Sequence, residues 1–261
     1  MSLSSSWDSA KYRLKSNGFG FLVGQIIMIF TSKLLRTHLR PSLEDFQKSR
    51  FSQFHTAFDL LQKGLNFPDD EIHKYFQEFQ TLLQQLENRM RDTVGLYPRD
   101  YGSETESAKV VYFLVRARKM NSVVETGVAN GVSTFFILNA MILNGFGKLT
   151  SIDISHNVAN FLNDNERKYW QLRVLEGKWR KTFCNFIEQV PIIDAFIHDS
   201  DHSYPSQVLE YNTALSNLNS NGYILSDDVD CSFAFIDKFS KRSDRVSILV
   251  QKSRVFGVVQ I

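Results

Sequence analysis

Ile72, Tyr75, Phe76, Phe79, Leu82, Leu83, Leu86 and Met90 recur at three- and four-residue steps, with Glu, Gln, Lys and Arg between them. That spacing predicts a helix with one buried face. Asn66-Phe67-Pro68-Asp69-Asp70 reads as the turn and helix start before it. Residues 42–63 carry a mixed helical pattern that stops at Gly64, and Pro98 to Gly102 ends the helical part of the chain. A boundary there divides a helical region, residues 1–100, from a second unit, residues 101–261. Beyond residue 103 the rhythm changes. Ser122–Thr126, Leu149–Asp153, Leu172–Leu175, Ile192–Ile197 and Tyr223–Ser226 read as short buried strands. Helical stretches over 133–144, 157–169 and 205–218 alternate with them. Such alternation predicts a mostly parallel sheet with helices on both faces. The chain ends on two close strands, 245–251 and 254–261. These must pair antiparallel, because parallel neighbours need a long crossover. The expected fold is α/β: a Rossmann-like, mostly parallel seven-stranded sheet with an antiparallel C-terminal hairpin, preceded by an α-helical N-terminal region.

Composition narrows this picture only a little. Of 261 residues, 43% are hydrophobic and 22% charged, enough for a folded chain with a sizeable core. Thirty basic and 28 acidic residues nearly cancel, so charge predicts no nucleic-acid partner. Cys184 and Cys231 sit in no metal or disulfide pattern and read as free thiols of a cytoplasmic protein. An apolar run from Phe19 to Phe30, with basic residues on both sides, is short for a bilayer span. Three readings stay open: burial against the second unit or another subunit of a homo-oligomer, contact with a membrane surface, or a span.

Four elements carry candidate chemistry, each just past a predicted strand. Glu125-Thr126-Gly127 through Gly131 and Ser133 is a glycine turn that opens a helix, where free N–H groups suit an anion. It is not the G-x-G-x-x-G fingerprint, and a turn with no ligand would look the same. Asp153 ends the next strand, where an acid can accept from ribose hydroxyls or cap the following segment. Asp199-Ser200-Asp201-His202-Ser203-Tyr204 and Asp227-Asp228 follow the fourth and fifth strands. Asp199, Asp227 and Asp228 brought together would repel unless a cation lay between them, and oxygen ligands favour magnesium. The alternative is that they cap helices and face water. His202 stands beside them with the ordinary pKa of a general base. His198 and His156 read as structural.

From about residue 104 onward the chain resembles the class I S-adenosylmethionine-dependent methyltransferases. Glu125 through Ser133 is similar to that family's first motif and Asp153 to its ribose-binding acid. The group containing Asp199, His202, Asp227 and Asp228 resembles the magnesium-dependent O-methyltransferases of macrolide sugars and the cephalosporin pathway. Catechol-type enzymes are more distant, with Lys at the place of His202. In the sugar enzymes Glu often stands where this chain has Asp227. The resemblance implies S-adenosylmethionine bound by Glu125, Gly127, Gly131, Ser133 and Asp153. It implies magnesium on Asp199, Asp227 and Asp228, His202 as base, and a small-molecule or sugar acceptor. Trp179 falls where family members contact the adenine, although a core Trp fits equally well. A metal-independent methyltransferase and a non-catalytic interaction protein of the same fold remain as other readings.

Overall fold

The computed structural model describes residues 39–92, 105–177 and 179–261. The apolar run 19–30 and the break at Pro98–Gly102 lie outside them. Among the described residues the first helix is α1, Leu43–Lys48, set by a reciprocal capping box between Ser42 and Asp45. A short strand follows, β1, Ser52–Phe54. Thr56 caps α2, Ala57–Asp59, which runs on into a wider turn over Leu60–Gly64. Helix α3, Asp69–Asp92, is the long amphipathic helix that the apolar spacing predicts. The strand–helix alternation then begins with α4, Thr105–Ala117, β2, Ser122–Thr126, and α5, Val132–Asn144. It continues through β3, Lys148–Asp153, α6, Asp164–Arg167, β4, Trp170–Val174, and α7, Trp179–Ile187. Next come β5, Ile193–His198, α8, Tyr204–Asn217, and β6, Leu218–Ser226. The last elements are α9, Ala234–Phe239, β7, Val246–Val250, and β8, Val255–Gln260.

All eight strands form one sheet in the order β1-β7-β8-β6-β5-β2-β3-β4. Only β8 runs against its neighbours, β6 and β7, which makes the expected antiparallel C-terminal hairpin. The sheet has one strand more than the seven expected. Ser52–Phe54 pairs parallel with β7, and three residues are too few to show a period of two in the sequence. A second correction concerns residues 157–169, where one helix was expected and only Asp164–Arg167 is helical. Ala159 takes φ +49° and donates its N–H to the Ala129 carbonyl at 3.1 Å. The glycine turn therefore holds this stretch out of helix, and a new capping box at Asn163 and Glu166 starts the short helix.

Strand order reverses at β2, with β3 and β4 on one side and β5 and β6 on the other. In open α/β sheets the ligand crevice lies outside the strand ends at such a switch. Helix α5 is apolar nearly all round because it is covered nearly all round. Phe79 of α3 stacks on Phe136 of α5, with centroids 4.2 Å apart, and meets Tyr112 of α4 edge-on. Ile72, Phe79 and Leu86 belong to the same apolar cluster as Val123, Leu149 and Ile197 of the sheet. Arg89 of α3 also grips Glu166 with both contacts at 2.8 Å.

Candidate functional site

Register brings the predicted elements to one line. Thr126 pairs with Ile152 and His198, and His198 pairs with Ser226. One residue further on, Asp153, Gly127, Asp199 and Asp227 stand in a row across β3, β2, β5 and β6. Backbone hydrogen bonds continue into that row, Gly127 to Ile152, Asp199 to Thr126 and Asp227 to His198, each at 2.9 Å. Gly127 takes φ +78°, and a Cβ there would lie 1.9 Å from the Asp199 carbonyl oxygen. Gly131, at φ +84°, is the N-cap of α5 and packs against Ala159. The first N–H groups of α5 have no carbonyl ahead of them in the helix, so this turn can receive an anion.

Glu125 lies beneath the turn, fully buried. It accepts from Ser133 Oγ at 2.5 Å, Ser151 Oγ at 2.7 Å and Thr134 Oγ1 at 2.8 Å. Burial raises its carboxyl above the ordinary range, against the pull of these hydroxyls. Glu125 and the Ser133 hydroxyl thus brace the turn from inside. What Ser133 offers a ligand is its backbone N–H. Asp153 accepts from Val128 N at 2.8 Å and Ser155 N at 2.9 Å, so it both ties the turn to β3 and caps the segment after it. Burial raises its carboxyl too, and the backbone donors lower it. Trp179 opens α7, half-buried against the cluster of Val124, Ile152 and Phe183, with Arg180 over its ring at 5.3 Å.

On the other side of the row, Asp199, Asp227, Asp228 and His202 meet. His202 Nε2 lies 3.7 Å from Asp199 Oδ1 and 3.8 Å from Asp228 Oδ2. Arg254, in the link between β7 and β8, donates from Nη1 to Asp227 Oδ2 at 2.8 Å. Its Nε is 3.7 Å from Asp228 Oδ1. The cation that three carboxylates require is therefore supplied in some measure by the chain itself. Among the described residues, no three His, Cys, Asp or Glu side chains form a group that could hold a metal ion. Burial, then repulsion from Asp227 and Asp228, holds the Asp199 carboxyl well above its usual range. Burial and Asp228 push Asp227 up to about 6, against the pull of Arg254. Burial, then the His198 ring, pushes His202 down to about 4, so its imidazole is neutral at pH 7.

One residue behind His202 escaped the sequence reading. Glu210 of α8 accepts from Thr126 Oγ1 at 2.6 Å and Ser200 Oγ at 2.7 Å, and its Oε2 lies 2.7 Å from His198 Nδ1. His198 is structural, as expected, and its ring stands edge-on to His202 at 5.3 Å. Nothing in the spacing marks Glu210, whose partners lie on three different segments. Arg254 was equally hidden, one cation in a short turn, brought to β6 only by the antiparallel pairing of β8.

Residues 124–229 match the family model described as a methyltransferase domain. No functionally curated protein matches the chain. Among solved structures it is similar to the O-methyltransferase from Bacillus cereus in complex with SAH. That match has 15% identity and a TM-score of 0.47, and covers 78% of this chain and 96% of the other. It is also similar to the O-methyltransferase TomG from Streptomyces achromogenes, involved in tomaymycin synthesis and bound to SAM. There the identity is 12% and the TM-score 0.48, over 89% and 94% of the two chains. MycE from the mycinamycin biosynthetic pathway, in complex with Mg, SAH and mycinamycin VI, has 12% identity and a TM-score of 0.42. That match spans 56% of this chain and 47% of MycE. The domain match falls on the segment that carries the row of strand ends. The chain thus carries a methyltransferase domain over residues 124–229.

Proposed function

We propose that this enzyme methylates a hydroxyl group on a small molecule or sugar, with His202 as general base. The observation that carries the reading is the row of strand ends, which sets Gly127 and Asp153 beside Asp199 and His202. On this reading the first turn of α5, Gly127, Gly131, Ser133 and Asp153 hold S-adenosylmethionine, with Glu125 bracing the turn and Trp179 near the adenine. When bound, the cofactor supplies a methyl group on a sulfonium, whose sulfur leaves as a neutral thioether. The acceptor's proton goes to His202 Nε2. A neutral imidazole is free to take it, and even a weak base suffices because the hydroxyl grows far more acidic as it gains the methyl group. The chain's contribution is otherwise positioning, holding nucleophile and methyl in line at near-attack distance.

The magnesium implied by the resemblance does not fit the side chains as they stand. Arg254 already holds one oxygen of Asp227 and approaches Asp228, and His202 lies between Asp228 and Asp199. The wider reading includes a cytoplasmic protein, a homo-oligomer, contact of residues 19–30 with a membrane surface, and no nucleic-acid partner.

The test is calorimetry with S-adenosylmethionine and its demethylated product, followed by a panel of glycosides, sugars and catechols read by mass spectrometry. Asp153→Ala should weaken cofactor binding by about 1–3 kcal/mol, the cost of hydrogen bonds left unmade. Unchanged affinity in a folded variant would remove Asp153 from the cofactor site. Methylation confined to nitrogen acceptors would overturn the O-methylation reading.

A further inference from the structure

Asp227, Arg254, Asp228, His202 and Asp199 form an alternating chain. Arg254 Nη1 lies 2.8 Å from Asp227 and its Nε 3.7 Å from Asp228. His202 Nε2 then lies 3.8 Å from Asp228 and 3.7 Å from Asp199. Each gap between neighbouring carboxylates holds one of the chain's own nitrogen groups. The guanidinium is also anchored from behind. Gln251 N–H donates to the Arg254 carbonyl at 3.0 Å and closes the β7–β8 turn. The next residue, Val255, donates its N–H to Asp230 Oδ1 at 3.0 Å, which pins the turn to the segment after β6. Arg254 is only 19% exposed and cannot swing into water without breaking its contact with Asp227. A guanidinium stays charged at any working pH and offers a fork that suits carboxylates.

We propose that methyl transfer here is metal-independent, with Arg254 as the resident cation that holds Asp227 and Asp228 beside the acceptor site. A divalent ion sharing these carboxylates would meet a fixed positive charge at contact distance and would have to displace it. Removing the guanidinium leaves buried carboxylates without their counter-charge, a state that a divalent ion relieves. Arg254 stays protonated throughout, so the balance of the transfer step is unchanged. Arg254 is a positioning residue and touches no reacting atom. The inference rests on the proposed methyl-transfer reading, but its main test needs neither cofactor nor acceptor.

The experiment uses the full chain, stripped with EDTA, and titrates Mg²⁺ by calorimetry and Mn²⁺ by electron paramagnetic resonance. The wild-type protein should show no saturable site up to millimolar metal. Arg254→Gln should gain one, tightening Mn²⁺ binding by roughly tenfold or more. Arg254→Lys, which keeps the charge, should still exclude metal and serves if the Gln variant does not fold. A single saturable Mg²⁺ site in the wild-type chain that Asp228→Asn abolishes would overturn the proposal. So would a folded Arg254→Gln protein with no gain in metal affinity. With an acceptor in hand, turnover should survive EDTA, and loss with EDTA followed by rescue with Mg²⁺ would equally overturn it. A failure of the methyltransferase reading would appear separately, as absent cofactor binding with the metal titration unchanged.

Discussion

At Gly127 the chain needs a positive φ and a missing side chain at once, because the carbonyl of Asp199 occupies the place of a Cβ. The same close approach sets the glycine turn beside the segment after β5 that carries His202, so the proposed site depends on the backbone geometry of one position. At His202 the chemistry and the stability pull on one imidazole. Its folded-state pKa, about 4, lies below the unfolded value near 6.5. The unfolded chain therefore takes up a proton that the folded chain refuses. The stability due to neutral His202 is complete above pH 6.5 and is lost as pH falls toward 4. Asp227 acts with the opposite sign over an overlapping window, since its raised pKa favours the folded state most at low pH. Comparison with a variant isolates the histidine. Between pH 7 and pH 5, His202→Gln should lose less stability than wild type, by on the order of 1–2 kcal/mol in urea unfolding. The same variant should bind cofactor normally and lose about 10²–10⁴ in kcat. Equal loss of stability in both proteins would remove the titration, and retained kcat would remove the base.

At the scale of elements, α8 supports the loop that carries His202. Its Glu210 carboxylate ties together Thr126 at the end of β2, His198 at the end of β5 and Ser200 in the loop. Every one of these contacts is buried or partly buried, so none is replaced cheaply by water. Glu210→Ala should destabilise the protein by about 2 kcal/mol or more, because several buried groups lose their partner together. Glu210→Gln should fall between that variant and wild type. Urea midpoints that coincide for all three would show that the loop is held by something else. Glu125 has the same role beneath the glycine turn, with hydroxyls from α5 and β3 converging on it. Each side of the strand-end row thus rests on one buried carboxylate with three polar partners.

For the whole molecule, the described portion of the N-terminal region is continuous with the core. Helix α3 covers α4 and α5 and reaches the sheet cluster through them. Phe79→Ala would empty a stacked position between Tyr112 and Phe136. The expected cost is about 3–5 kcal/mol, and cofactor affinity should fall with it because α5 carries the glycine turn at its N-terminus. A thermal melt and a cofactor titration on the same preparation check both. A loss of stability with the cofactor affinity untouched would mean that α5 is held without α3.

Periodicity, turn residues and strand length were enough to read α3, the strand–helix alternation, the antiparallel hairpin and the candidate residues at the strand ends. These are local signals, and each element states its own period. Asp153, Asp199, Asp227 and His202 were legible as polar residues just past buried strands, a place where they either cap the next segment or meet a ligand. Register was beyond the sequence, since a slip of one residue changes neither composition nor period, yet it alone lines Gly127 up with Asp153, Asp199 and Asp227. Arg254 and Glu210 were hidden for the same reason, as their partners lie on segments distant in the chain. The strand at Ser52–Phe54 and the unwound stretch before Asn163 were decided by tertiary contacts that override local preference. The sequence by itself determined which residues could do chemistry. The tertiary structure decided which charges meet, and there it set an arginine among the carboxylates, because like charges brought together in a buried site must find a counter-charge.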